Sequence, residues 1–420
     1  MFIAQNNQSH KKNLVSLGFN KAKNHLSLIV ILLGAVCFLF TNILLREIFN
    51  ENTYGVYSVI VSYLSVIYIY GLLGFEQVFM RFSHQLGRNI ITTQRIQIIY
   101  LTIIILATTL ISVVTYEVYF SHYLHINLIL LTLGFLCMIS SLILFNIFRL
   151  NENFVVSQIV SNGWKILMSL VAFGFFFSKS LDLELFVSIV LVLVITISLI
   201  AAFYISKNFK FVYNHDLNTK DTRVAFINFF IAITAFSIVL FADRFIIESK
   251  LGTAVFGDYF YLTTLVLSPY TILQNYVGFK QLVHFKQHFD IQTFIRFNKK
   301  IIVFSLAIGL LLGIMIFAIT ELNFLNFDFK KYTSTIGFIL VLGIVRLYSS
   351  AILSAFEART SINTLKTANS IVVLTTVIVS LFVVYASSTL NEIILGFIVI
   401  WTLRSLIYRQ LLLSQIKKTL

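Results

Sequence analysis

Long uncharged apolar runs alternate with short polar connections along nearly the whole chain. A run of about 20 such residues is enough to cross the hydrocarbon core of a bilayer as a helix. The pattern predicts spans at 26–45, 56–77, 96–116, 126–147, 154–177, 185–205, 223–243, 259–279, 301–320, 333–356, 364–386 and 390–408. The last is the least regular, because Glu392 and Arg404 interrupt it. Helices are required because lipid offers no partner to a backbone N–H or C=O. A membrane β-barrel would show short alternating segments instead. The expected fold is therefore all-α, a polytopic membrane protein of about twelve transmembrane helices.

A self-match suggests how those helices are grouped. With Gly257 set over Gly55, Tyr54-Gly55-Val56-Tyr57 falls on Phe256-Gly257-Asp258-Tyr259. The apolar run Leu26–Leu45 answers to Val224–Ala242, and Thr41-Asn42 to Asp243-Arg244. Self-similarity near half the chain length marks two halves of one design. The expected organisation is a cytoplasmic N-terminal segment (1–25), a six-helix bundle (26–205), a cytoplasmic linker (206–222), a second six-helix bundle (223–408) and a cytoplasmic tail (409–420). Six spans per half gives parallel repeats, related by an axis along the membrane normal.

Charge sets the orientation. The chain carries a net charge of +14, and its basic residues gather in alternate connections. Arg81, Arg88, Arg95, Lys207, Lys210, Lys220, Lys280, Lys286, Lys299 and Lys300 fall on one side; Arg46, Lys179, Arg244, Lys250, Lys330 and Lys331 fall on the other. The positive-inside rule then puts both termini in the cytoplasm. This distribution is not a nucleic-acid footprint, and no nucleic-acid partner is expected. The polar, basic N-terminus leads into a full-length span and reads as a first helix, not a cleaved signal. In the connection 280–300, Leu282, Phe285, Phe289, Ile291 and Phe294 oppose Lys280, Lys286, Arg296 and Lys299. That pattern predicts an amphipathic helix lying among lipid headgroups. Composition agrees with all this: at 58% hydrophobic and 11% charged, the chain could not cover a soluble surface. Cys37 and Cys137 lie inside apolar runs and read as packing residues.

The candidate chemistry lies in polar positions within the spans. Lys165 and Arg346 fall near the middle of theirs. A lipid-facing charge at that depth costs at least about 2.5–3.5 kcal/mol, so both should face a cavity or a partner. Ser157, Ser161, Lys165 and Ser169 form one polar stripe; Gly343, Arg346, Ser350 and Ser354 a second; Thr264, Ser268, Thr271 and Asn275 a third. Together they suggest a hydrated or ligand-filled path between the halves, with Lys165, Arg346, Ser161, Ser350 and Asn275 binding an anionic substrate group. A buried structural ion pair is the plainer alternative. No carboxylate is expected at matching depth to neutralise both cations. Asp243 and Glu76, nearer the span ends, are candidates for proton or sodium coupling, or else pair with a cation or reach the interface. Arg404 is expected to snorkel to the headgroups. Pro269 marks a possible hinge, and Gly309 and Gly313 a close-packing pattern.

Enzyme signatures are missing. There is no phosphate-binding loop of the G-x-x-x-x-G-K-[ST] kind, no H-E-x-x-H, and no long connection to house a transferase site. The pairs His122/His125 and His284/His288 lack an acidic third ligand. No catalytic residue, metal or cofactor is expected beyond an ion gradient.

Several short motifs resemble Wzx-type polysaccharide flippases of the multidrug and polysaccharide exporter superfamily. They are Glu51-Asn52-Thr53-Tyr54-Gly55-Val56-Tyr57, Gly71-Leu72-Leu73-Gly74-Phe75 with Arg81, and Asp243-Arg244 with Gly252 and Gly257-Asp258-Tyr259. The connections Phe148–Phe154 and Phe356–Arg359 add to the likeness. The resemblance implies two six-helix bundles around a central cavity and alternating access in the bacterial inner membrane. It implies export of undecaprenyl-pyrophosphate-linked oligosaccharide for O-antigen or capsule, with Lys165 and Arg346 as the cavity cations. Membrane lipids, and the polymerase and chain-length machinery of polysaccharide assembly, would be its partners. A small-molecule or drug exporter of the same superfamily is the first alternative. A membrane-embedded polysaccharide polymerase or transferase is the second.

Overall fold

The computed structural model describes residues 26–87, 89–178, 182–213, 219–287, 289–322 and 325–419, with some side chains within 275–287 and at the helix ends left aside. The chain is helical almost throughout. In order come α1 (Leu26–Ile48), α2 (Glu51–Tyr70), α3 (Phe75–Phe82), α4 (Arg95–Tyr119), α5 (Leu128–Leu150), α6 (Phe154–Ser178) and α7 (Leu183–Asn208). Then follow α8 (Thr219–Leu251), α9 (Thr253–Gln287), α10 (Ile291–Glu321), α11 (Thr333–Arg359), α12 (Ile362–Ala386) and α13 (Leu390–Thr419).

Short polar side chains start many of these helices by accepting hydrogen bonds from otherwise unpaired N–H groups. Asn50 accepts from Thr53, Asn127 from Ile129 and Leu130, and Ser361 from Thr364. Asp290 accepts from Thr293, and this holds its carboxyl below the ordinary aspartate range. Glu392 accepts from the N–H groups of Ser388 and Thr389, while the Thr389 hydroxyl accepts from the N–H of Glu392. This capping box explains the charge that seemed to spoil the last span: Glu392 belongs to the helix start.

Eleven helical stretches among the described residues are long and apolar enough to cross a membrane. The expected span 259–279 lies in α9, outside those eleven. Asp258, several tyrosines, Thr263, Thr264 and Ser268 dilute its apolar character. It can carry them because residues 256–263 are buried by neighbouring helices. The expected span 56–77 is likewise interrupted. A turn at 71–74 separates α2 from α3, with Leu73 and Gly74 at positive φ (53° and 80°).

By packing, the chain divides into two units: residues up to Thr41 with Glu76–Thr219, and Asn42–Phe75 with Lys220–Leu420. The boundaries fall inside α1 and at the α2–α3 turn, so α2 packs with the C-terminal helices. In the first unit, α5 packs against α6 and α7. The connections there fold into a small sheet, which periodicity did not foresee. β1 (His84–Gly87) pairs antiparallel with β2 (Ile90–Thr93), which pairs in parallel with β3 (Lys210–Tyr213). Asn151 fastens this sheet to the end of α5: its Nδ2 donates to Asn89 Oδ1, and its Oδ1 accepts from Gln85.

In the second unit, α9 is central, flanked by α2 and α11, with α13 on the far side of α11. The segment 280–300 is not a separate helix among headgroups. It is the end of α9, a turn and the start of α10. Phe285 and Phe294 are buried against Ile352, Phe356, Tyr408 and Leu412, because the ends of α11 and α13 offer an apolar surface that shields both rings.

Candidate functional site

Ionisable residues of the second unit, and one tryptophan, converge inside its apolar helices. Asp243 and Arg244 come from α8, Tyr259 from α9, Arg346 from α11, and Trp401 and Arg404 from α13. The Tyr259 hydroxyl donates to Asp243 Oδ2, while Asp243 Oδ1 is buried without a hydrogen-bond partner. Arg244 Nη1 donates to Ser62 Oγ of α2 at 3.2 Å, and its guanidinium lies over Phe241 and Phe260. The consecutive residues thus find different partners, as the roughly 100° between neighbours on a helix requires.

Arg346 lies within electrostatic reach of Asp243, Arg244 and Arg404. Asp243, expected nearer a span end, is thus a carboxylate within reach of Arg346. Yet among the described residues Asp243 forms no direct ion pair. Arg346 and Arg404 share one indole: their Cζ atoms lie 5.1 and 5.0 Å from the Trp401 ring centroid. Arg404 is 5% exposed and also lies against Phe236 and Tyr408, so it does not snorkel to headgroups. Aromatic faces at Trp401 and Tyr408, three residues before it and four after, hold it inward. That i−3, i+4 spacing was the sequence signal overlooked. Asp243 therefore lies within reach of Arg244 and Arg346, and Arg404 lies near Arg346.

Ser350 and Ser354 bond within this unit. Ser350 is buried and donates to the Gln274 carbonyl, joining α11 to α9. Ser354 donates to Ser350. Asn275 lies on α9, with its side chain outside the described residues. Pro269 sits within α9, which continues through it. The next residue, Tyr270, donates to the Ser305 carbonyl of α10 and fills the space over Gly309 and Gly343. Gly313 has open space where a Cβ would stand, so the two glycines of α10 do not form a joint packing face within the chain.

A second charged group lies in the same unit. Arg46 Nη2 donates to Asp258 Oδ1 at 3.0 Å, and the Tyr332 hydroxyl donates to Asp258 Oδ2 at 2.6 Å. Burial, then this bond to Asp258, holds the Tyr332 phenol above its usual range. Phe327 stacks on Tyr332 and under Arg46. Beside Asp258, the two glycines of the self-match meet. A Cβ on Gly257 would stand 2.9 Å from Gly55 Cα, and one on Gly55 would stand 2.2 Å from the Thr253 carbonyl oxygen. Only glycine at both positions lets α2 and α9 cross this closely.

In the first unit, Lys165 on α6 is half-buried. It donates to Asn162 Oδ1 at 3.1 Å and lies over Trp164, and it forms no ion pair among the described residues. Asn162 in turn donates to Gln158 and packs against Gly34 of α1. Ser161 is half-buried beside them; Ser157 and Ser169 donate to helix carbonyls. Glu76 is 6% exposed and its Oε2 is buried without a hydrogen-bond partner, so it neither pairs with a cation among the described residues nor reaches an interface.

No protein-family model matches the sequence, and no curated protein is similar enough in sequence to count as a relative. Solved structures do match over nearly the whole chain. One is described as the outward-facing conformation of a multidrug resistance MATE family transporter of the MOP superfamily. It is 13% identical with a TM-score of 0.59, over 96% of this chain and 97% of that one. The fold is that of the MATE transporters. A MATE crystal structure in complex with MaL6 matches with a TM-score of 0.60 at 12% identity, over 95% and 97% of the two chains. A third, in complex with Br-NRF, gives 0.52 at 13%, over 95% and 96%. At these identities the likeness to MATE structures concerns the fold.

Proposed function

We propose that the protein is a membrane transporter that exports amphipathic solutes bearing an anionic group, by alternating access. The observation that carries this reading is the excess of guanidinium over carboxylate within apolar helices. Cations placed there are expensive unless they meet an anion or water, and three arginines against one aspartate repel a cationic cargo. Arg346 would contact the anionic group, with Lys165 and Ser161 offering a second polar patch and Ser350 and Asn275 secondary contacts. Asp243 and Glu76 would be the groups through which a proton or sodium gradient is coupled, and Pro269 the hinge of α9. The MATE fold, and the description of one such structure as a multidrug resistance transporter, support export of small solutes. Translocation of a lipid-linked oligosaccharide is the second reading. It is favoured by the Glu51–Tyr57 and Gly71–Phe75 motifs, and its diphosphate would suit the same arginines.

The test is reconstitution in vesicles, comparing an anionic amphiphile, its cationic counterpart and a lipid-linked oligosaccharide, with and without proton or sodium gradients. Protein-dependent movement of the anionic amphiphile, lost in Arg346→Gln, is the expected result. Movement of the oligosaccharide alone would transfer the assignment to the second reading. Preference for the cationic amphiphile would overturn the anionic cargo.

A further inference from the structure

We propose that Asp243 is the resident counter-ion of an oxyanion site made by Arg244, Arg346 and Arg404, and that the anionic group of a ligand binds by taking its place. The inference deepens the reading of an anionic cargo and rests on it. Three features of the second unit carry it.

The first is charge balance. Arg346 lies within electrostatic reach of one carboxylate, Asp243, and of two further guanidiniums, Arg244 and Arg404. Such a group keeps an uncompensated positive charge, which a phosphate or carboxylate of a ligand would neutralise. The second is unused hydrogen-bonding capacity. Arg346 donates no hydrogen bond to any described residue, although a guanidinium has five N–H groups in a fork suited to two oxygens; its guanidinium lies over the Trp401 face. Asp243 is held by Tyr259 through Oδ2, and its Oδ1 has no partner. The carboxylate is therefore anchored to α9 and compensates the arginines at a distance, without a direct ion pair to any of them. A ligand oxyanion that contacts Arg346 directly would outcompete this longer-range attraction. The third feature is shape. Arg346 and Arg404 both lie against the indole of Trp401, which holds two like charges at one aromatic residue. Such an arrangement is unfavourable alone and is relieved by an anion.

Trp401 makes the proposal measurable. The chain has two tryptophans, and Trp164→Phe leaves Trp401 as the single reporter, in contact with both arginines. The Trp164→Phe protein, in nanodiscs of phosphatidylcholine, is titrated with hexyl phosphate and with hexyltrimethylammonium while Trp401 fluorescence is followed. The expected result is a saturable change with hexyl phosphate only, whose midpoint falls about tenfold or more in Asp243→Asn, since a competing charge has been removed. A midpoint unchanged or raised in Asp243→Asn would overturn the counter-ion role. Should that variant not fold, Arg346→Gln decides: about tenfold weaker binding supports the site, and equal binding overturns it. The same change on moving to phosphatidylglycerol discs, without hexyl phosphate, supports the site with a lipid headgroup as the source of the oxyanion. Because binding is read without transport, a silent vesicle assay with a responsive Trp401 separates failure of the export reading from failure of this one.

Discussion

Arg46 and Asp258 are each almost fully buried, so neither can lose the other without leaving a charge in protein. Removing one partner of such a pair costs about 3–5 kcal/mol, more than the pair itself contributes. Arg46→Ala should therefore lower the melting temperature of the purified protein sharply. The double variant Arg46→Met/Asp258→Leu should recover much of the loss; a double variant as unstable as the single would show that the charges are not what matters there. The crossing glycines offer a second test at this scale. Gly55→Ala forces a methyl group against the Thr253 carbonyl, and overpacking of this kind costs about 1–3 kcal/mol or more. Gly313→Ala, with open space at its Cβ, should be neutral or stabilising by about 0.5–1 kcal/mol, through helix propensity. Equal melting temperatures for the two variants would contradict the close crossing. The mid-span depth of Arg346 was legible in the sequence. Its neighbours were not, because Asp243 and Arg404 lie near the ends of their runs and only the packing of α8, α11 and α13 brings them together.

Helix periodicity located nearly every element, and it failed where a side chain has two plausible shelters. Phe285 and Phe294 would be equally at home in headgroups or against a protein surface, and a single segment cannot say which. The structure chooses the surface made by Phe356 and Tyr408. Phe294→Ala should accordingly destabilise the fold by about 3–5 kcal/mol, read as a lower melting temperature in detergent where no bilayer exists. A variant unaffected in detergent and impaired only in bilayers would restore the interfacial reading. At the start of α13, Thr389→Ala or Glu392→Ala removes half of the capping box and should cost about 0.5–2 kcal/mol, visible as faster amide exchange over residues 390–394. The three-stranded sheet escaped notice because its strands are four residues each, too short for an alternating pattern to stand out.

For the whole molecule, composition and span count were enough to give a polytopic helical protein, since lipid leaves the backbone few other solutions. The MATE fold itself came from three-dimensional comparison, at identities where sequence comparison is silent. The cargo is harder to read from sequence than the fold, because it depends on which side chains from distant helices share one space.

The meeting of Gly55 and Gly257 also bears on ancestry. We propose that the two halves arose by duplication; the two glycines are then equivalent residues, and equivalent residues that touch lie where a two-fold axis would pass. Before a fusion of the halves, one glycine codon would have served both sides of the crossing in a dimer of half-length chains. After fusion there are two codons, and neither is free to change while the other stays. Across diverged homologues the two positions should then be glycine together or depart from it together, and sequences that keep one while enlarging the other would speak against a common origin for the pair.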